Sequence, residues 1–192
     1  MLEKILQWDR DTFVYLNGLG VDEYDGFWST VTDIKTWIPL FLFFFVLMFL
    51  KYDKKEALLK TGTVLLLVLF ITTITDLTKE TVARLRPNND EQINTLIRIL
   101  RSPSDFSFFS GHASSSFAIT TLVFLFLKKF YNWAVLFFIW PIFFCLSRIF
   151  VGVHFPIDIM VGALVGAFSG WLFYIVHNAL LNSAQRKAIS NR

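Results

Sequence analysis

Five long apolar runs constrain this chain more than anything else in it: residues 37–50, 57–77, 111–127, 133–150 and 157–176. Hydrocarbon offers no water to the backbone, so a segment crossing it must close its hydrogen bonds internally, as a helix or in a closed barrel. The runs are continuous and do not alternate in polarity, so they read as helices near the roughly 20 residues a bilayer asks for. The chain is 55% hydrophobic, with 23 Phe and 6 Trp in 192 residues, more apolar surface than a soluble domain this size could hide. The expected fold is all-α, a polytopic membrane bundle of about five transmembrane helices forming one domain over residues 1–192. The bundle itself is expected over 27–178, after an interfacial helix and link at 1–25 and before a polar tail at 179–192.

Residues 2–19 place Leu2, Ile5, Leu6, Phe13, Leu16 and Leu19 among charges at helical spacing, too polar to span and suited to lying in the interface. Glu3, Lys4, Asp9, Arg10 and Asp11 interrupt any apolar core that a signal peptide would need. The first span is short, and its start is expected somewhere within 27–38. Five crossings put the termini on opposite sides. Lys51, Lys54, Lys55, Lys60, Lys128, Lys129, Arg186, Lys187 and Arg192 then share one face, which the positive-inside rule makes cytoplasmic. The 79–110 loop and the 148–158 corner lie on the other, outward or periplasmic, face of an inner membrane. A net charge of +3 is too small to argue for nucleic acid, and the single Cys145 allows no intrachain disulfide.

Three polar motifs fall on that outward side. The first, Lys79-Glu-Thr-Val-Ala-Arg-Leu-Arg86-Pro87, is expected to set two cations on one helix face, with Pro87 ending the helix. Its ordinary alternative is a basic span end facing lipid headgroups. The second, Phe109-Ser110-Gly111-His112, opens the third span. Ser110 suits an N-cap, Gly111 lets an anion approach the backbone, and His112 stands beside it; the alternative is a capped helix with a chance histidine. The third is Ser147-Arg148 followed by His154 and Asp158. Arg148 is a permanent cation that can fork onto phosphate, and His154 can be a nucleophile or an acid–base group. Asp158 could accept from one imidazole nitrogen and expose the lone pair on the other. The alternative there is a snorkelling arginine and two capping residues. The third histidine, His177, reads as an interface residue. His154 and Asp158 are too few ligands for a metal, and Lys79, Arg86 and Arg148 would repel one. No metal and no cofactor are expected.

Taken together, the three motifs resemble the tripartite signature of the type 2 phosphatidic acid phosphatase family, Lys-x6-Arg-Pro, Pro-Ser-Gly-His and Ser-Arg-x5-His-x3-Asp. The match is complete in the first and third; in the second, Phe109 stands where the family usually has proline. The resemblance runs from the second span to the fifth. It implies that His154 is the nucleophile that takes the phosphoryl group, that Asp158 orients it, and that His112 protonates the leaving oxygen and later activates water. It implies a phosphate cradle of Lys79, Arg86, Arg148, Ser110 and the Gly111 N–H.

The expected activity is hydrolysis of a lipid phosphate or diphosphate through a phosphohistidine, without a metal. Undecaprenyl diphosphate, phosphatidylglycerophosphate, phosphatidate and a lipid A phosphate all fit. The small chain, lacking a soluble domain to read a headgroup, leans slightly to the polyprenyl diphosphate. The rival readings are a vanadate-dependent haloperoxidase, which the composition opposes, a non-enzymatic anion transporter, and an inactive lipid-phosphate-binding relative. Gly162, Gly166 and Gly170 form a stripe on the fifth span. It suits close packing against Ala113 to Ser116 of the third, or a homodimer contact.

Overall fold

The apolar runs are helical in the computed structural model, which describes residues 1–190. The helices are α1 (Leu2–Gly18), α2 (Asp25–Val31), α3 (Ile38–Lys51), α4 (Lys54–Val82), α5 (Gly111–Leu127), α6 (Ile139–Phe150) and α7 (Pro156–Ser190). Short 3-10 turns, Ile34–Trp37 and Asn132–Phe138, lead into α3 and α6. Among the described residues, four stretches are long and apolar enough to cross a membrane: Ile34–Lys51, Lys54–Asn89, Asn132–Phe150 and Pro156–Ser183. The fifth, α5, has 17 residues and so spans about 25 Å. It is the axis of the bundle, packed against α7, α4, α6 and α3. Ala118, Leu122, Val123, Phe126 and Leu127 of α5 are buried, whereas Leu42, Leu65, Leu69 and Leu164 of its neighbours are exposed. Apolar side chains therefore cover the outside of the bundle as well as its inside, as a lipid-facing surface requires.

Between helices in lipid, close backbone packing replaces the hydrophobic effect as the source of cohesion. The glycine stripe supplies it between α7 and α5. A Cβ added at Gly162 would lie 2.7 Å from the Ser110 carbonyl oxygen, one at Gly170 2.6 Å from that of Ala118, and one at Gly166 closer still to that of Ser114. The contact within the chain that the sequence leaves open for these glycines is made. It brings the start of α5, with His112, against the start of α7, with Asp158.

The first span starts within the expected 27–38, at Ile34: α2 ends at Val31, and Asp33 is extended, its carboxylate accepting the Lys35 N–H to start a new turn. Other expected boundaries move. The first motif is not carried on a helix to Pro87. Helix α4 ends at Val82, Ala83 is left-handed at φ 49°, and Arg86 is extended, as a residue before proline prefers. The expected polar tail is the continuation of α7 to Ser190, and Arg192 lies outside the described residues. On the opposite side of the bundle Lys60 and His177 are buried among neighbouring side chains. Lys60 pairs with Glu56 at 3.2 Å and stands over the Tyr52 and Phe126 rings, while His177 Nδ1 meets Thr63 Oγ1 at 2.8 Å.

Helix α1 has an unusual inner face. Its buried residues are Asp9, Phe13 and Asn17, on one side at four-residue spacing, while Leu2, Ile5, Leu6, Trp8 and Leu19 are exposed. Asn17 serves the backbone of two distant segments: its amide donates to the carbonyls of Ile149 (2.9 Å) and Arg98 (3.1 Å), and its oxygen accepts the Arg98 N–H at 2.7 Å. The helix thus turns apolar side chains outward and uses polar ones to hold the 87–110 loop and the end of α6.

Candidate active site

The three motifs converge on one side of the bundle. His154 follows α6 in a short corner and is 1% exposed. Arg86 reaches it across the extended segment after α4, with Nη1 2.9 Å from His154 Nε2. A guanidinium can only donate, so Nε2 carries the lone pair and Nδ1 the proton. Nδ1 lies 3.2 Å from Ser107 Oγ, and Ser107 in turn donates to Asp158 Oδ2. The direct separation of Nδ1 from Asp158 Oδ2 is 3.6 Å. Asp158 therefore orients His154 chiefly through an inserted hydroxyl, not by the direct bond the sequence suggests. Burial first, then the charges of Arg86, Arg148 and Lys79, hold the His154 imidazole well below its ordinary value of 6.5, so its lone pair is available at neutral pH.

Asp158 is completely buried and fully engaged. Oδ2 also accepts the Phe155 N–H at 3.0 Å, and Oδ1 accepts from Arg84 Nη1 at 2.7 Å. Ser110 caps α5, its Oγ accepting the Ala113 N–H at 3.4 Å, and its own N–H donates to the Asp158 carbonyl at 3.0 Å. That bond ties the second motif to the third. A methyl at Gly111 would meet only Thr75 Cγ2, at 3.5 Å, so the protein's own packing does not demand glycine there.

His112 and Arg148 meet at Thr32, the residue where α2 breaks. The Thr32 carbonyl lies 3.3 Å from His112 Nε2, and Arg148 Nη1 donates to the Thr32 hydroxyl. A carbonyl only accepts, so His112 Nε2 carries its proton; the ring stacks on Phe144 with centroids 4.6 Å apart. Arg148 Nε is buried with no hydrogen-bond partner among the described residues. Both side chains open onto a cavity of about 620 Å³ that Thr32, Lys35, Arg101 and Ser102 also line.

Lys79 and Arg86, separated by the end of α4, are brought together by a residue outside all three motifs. Asp105 accepts from Lys79 and takes a fork from Arg86 Nη2, at 3.0 and 2.9 Å to its two oxygens. Burial opposes its charge, but the bonds from Lys79 and Arg86 prevail and hold its carboxyl at about 2. Arg86 is anchored besides by Nε to the Asp105 carbonyl at 2.9 Å and by Nη1 to the Val153 carbonyl at 3.0 Å.

All eight residues singled out from the sequence thus lie around one centre. Sequence reasoning missed Thr32, Arg84, Asp105 and Ser107, which touch the motif residues from far along the chain. The only local signal was Arg84, a third cation within the first motif.

The chain matches a known family. The model of the PAP2 superfamily fits residues 57–181. A lipid A 4'-phosphatase of Bacteroides thetaiotaomicron is 30% identical over 185 residues, covering 94% of this chain and 81% of that protein. A lipid A 4'-phosphatase of Porphyromonas gingivalis is 31% identical over 182 residues, covering 92% and 75%. The crystal structure of a transmembrane PAP2-type phosphatidylglycerolphosphate phosphatase from Bacillus subtilis superposes with a TM-score of 0.70 at 19% identity, over 94% of this chain and 87% of that one, a likeness of fold. The chain belongs to the PAP2 superfamily. Within it, the chain falls in the class of membrane phosphatases that hydrolyse lipid phosphates.

Proposed function

We propose that this protein removes a phosphate monoester from an amphiphile of the lipid A type, through a phosphohistidine on His154, at a site facing away from the cytoplasm. The observation that carries the mechanism is the pairing of His154 Nε2 with Arg86: the lone pair already faces a cation that a phosphoryl oxygen can take over. In the first step Nε2 attacks phosphorus, the N–P bond forms and the P–O bond to the lipid breaks. His112, opening onto the same cavity as Arg148 and entering the step as the imidazolium, gives one proton to the departing oxygen and becomes neutral. Arg86, Lys79 and the unpartnered Nε of Arg148 neutralise charge on the phosphoryl oxygens, the work divalent ions do in other phosphoryl-transfer sites. Gly111 leaves its N–H open to the same oxygens, and the Ser110 hydroxyl proton remains free to be donated. In the second step His112 takes a proton from water, which attacks phosphorus and releases inorganic phosphate.

The substrate assignment leans on the two relatives named for lipid A, which cover nearly the whole chain. This shifts weight from the polyprenyl diphosphate that chain size alone favoured. The outward orientation rests on Lys51, Lys54, Lys55, Lys128 and Lys129 at the opposite ends of the spans. The test is phosphate release by purified protein in detergent, with excess chelator, from lipid A, undecaprenyl diphosphate, phosphatidylglycerophosphate and phosphatidate. Fastest turnover on lipid A, abolished in His154→Ala, is expected. Preference for a diphosphate would overturn the substrate, and restoration only by added magnesium would overturn the metal-free mechanism.

A further inference from the structure

We propose that Asp9, on helix α1, is a positioning residue of the catalytic centre, acting through Arg84 on Asp158 and His154; this rests on the mechanism above. Arg84 bridges two carboxylates, with Nη2 2.7 Å from Asp9 Oδ2 and Nη1 2.7 Å from Asp158 Oδ1. Both carboxylates are wholly buried. The guanidinium carbon stands over the Phe155 ring, 4.0 Å from its centroid, so the ring backs the arginine. The second oxygen of Asp9 accepts the Ile157 N–H at 2.9 Å, one of the free donors at the start of α7. Asp9 therefore holds both the arginine that grips Asp158 and the helix turn that carries it.

The charge count gives this link a chemical role. Arg84 and Asp158 alone would be a neutral pair. Asp9 makes the buried trio net negative, next to an imidazole that becomes cationic when Nε2 is phosphorylated while Nδ1 keeps its proton. Removing that charge raises the barrier to phosphoryl transfer without touching the groups that hold substrate. Asp9 also lies outside residues 57–181, the part matched by the superfamily model, so the N-terminal helix adds to the centre from beyond that part.

The experiment uses the full chain in detergent with labelled lipid phosphate in single turnover. Asp9→Asn keeps an oxygen for the Ile157 N–H but presents an amide to Arg84. The rate of label transfer to His154 should fall about tenfold to a hundredfold, in the range seen when a supporting partner of a catalytic group is lost, with KM nearly unchanged. Arg84→Ala supplies a second readout. Arg84 edges a cavity of about 780 Å³ lined by Leu2, Ile5, Leu6 and Phe155, so guanidinium ion added to Arg84→Ala should restore transfer. It should restore little when Asp9→Asn is present as well. Wild-type transfer rates in Asp9→Asn, per folded molecule, would overturn the proposal alone. Absence of label on His154 in the wild type would overturn it together with the mechanism it rests on.

Discussion

At the scale of single residues, Asp105 raises the sharpest question, because its carboxylate engages both Lys79 and Arg86, the cations assigned to the phosphate in the proposed mechanism. An anion entering the centre must share Lys79 and Arg86 with it. Asp105→Asn should therefore tighten inhibition by orthovanadate about fivefold, the worth of a partly exposed ion pair at ~1 kcal/mol; unchanged or weaker inhibition would mean that Asp105 helps to build the cradle. His154 makes a separate prediction about pH. Its folded value is depressed by burial and by neighbouring cations, so as pH falls from about 6.5 towards 5 the unfolded chain takes up a proton that the folded one refuses. Wild-type thermal stability in detergent should drop over that window, and His154→Asn should drop less. The residues legible beforehand were those whose chemistry shows in local spacing, such as Arg148, His154 and Asp158. Asp9, Ser107 and Asp105 were not, since an aspartate or serine in a polar stretch looks the same whether it faces water or is buried against a residue far along the chain.

At the scale of elements, the apolar runs announced their helices because hydrocarbon permits little else. What the sequence hid were the breaks. Ala83 is a strong helix former, yet it takes the left-handed conformation that ends α4 and frees Arg84 and Arg86 to turn inward. The break at Thr32 and Asp33 likewise lies in a stretch that reads as a run-up to the first span, and it puts Thr32 beside both His112 and Arg148. The glycines were legible as a stripe and separate cleanly by experiment. Gly166→Val drives a side chain into the backbone at Ser114, an overpacking that costs about 1–3 kcal/mol or more. It should lower the melting temperature in detergent by several degrees and reduce the yield of folded protein. Gly111→Ala, with room for its methyl, should fold normally and lose phosphate affinity, read as a raised KM and weaker vanadate inhibition. A Gly111→Ala protein that melts early with unchanged KM would reassign that glycine to packing.

At the scale of the whole molecule, the design is a bundle built around α5, with the three motifs gathered at one end and locked there by the 87–110 loop and α1. The loop is strapped to the corner after α6: the N–H groups of Leu100 and Arg101 both donate to the Val151 carbonyl, at 3.1 and 3.3 Å. Gly152, at φ 84°, lets the Arg98 backbone pass where a side chain would block it. The division of labour between the two histidines is tested by one labelling experiment, with an activated aryl phosphate carrying labelled phosphorus. Such a leaving group needs little protonation, so His112→Ala should still transfer phosphate to His154. It should then hydrolyse the adduct slowly, since no base remains to activate water; general acid–base help is worth about two to four powers of ten. Label should accumulate on His112→Ala, stable to alkali as a phosphohistidine, and be absent from His154→Ala. Equal loss of label in both variants would contradict the assignment of His154 as nucleophile and His112 as acid and base.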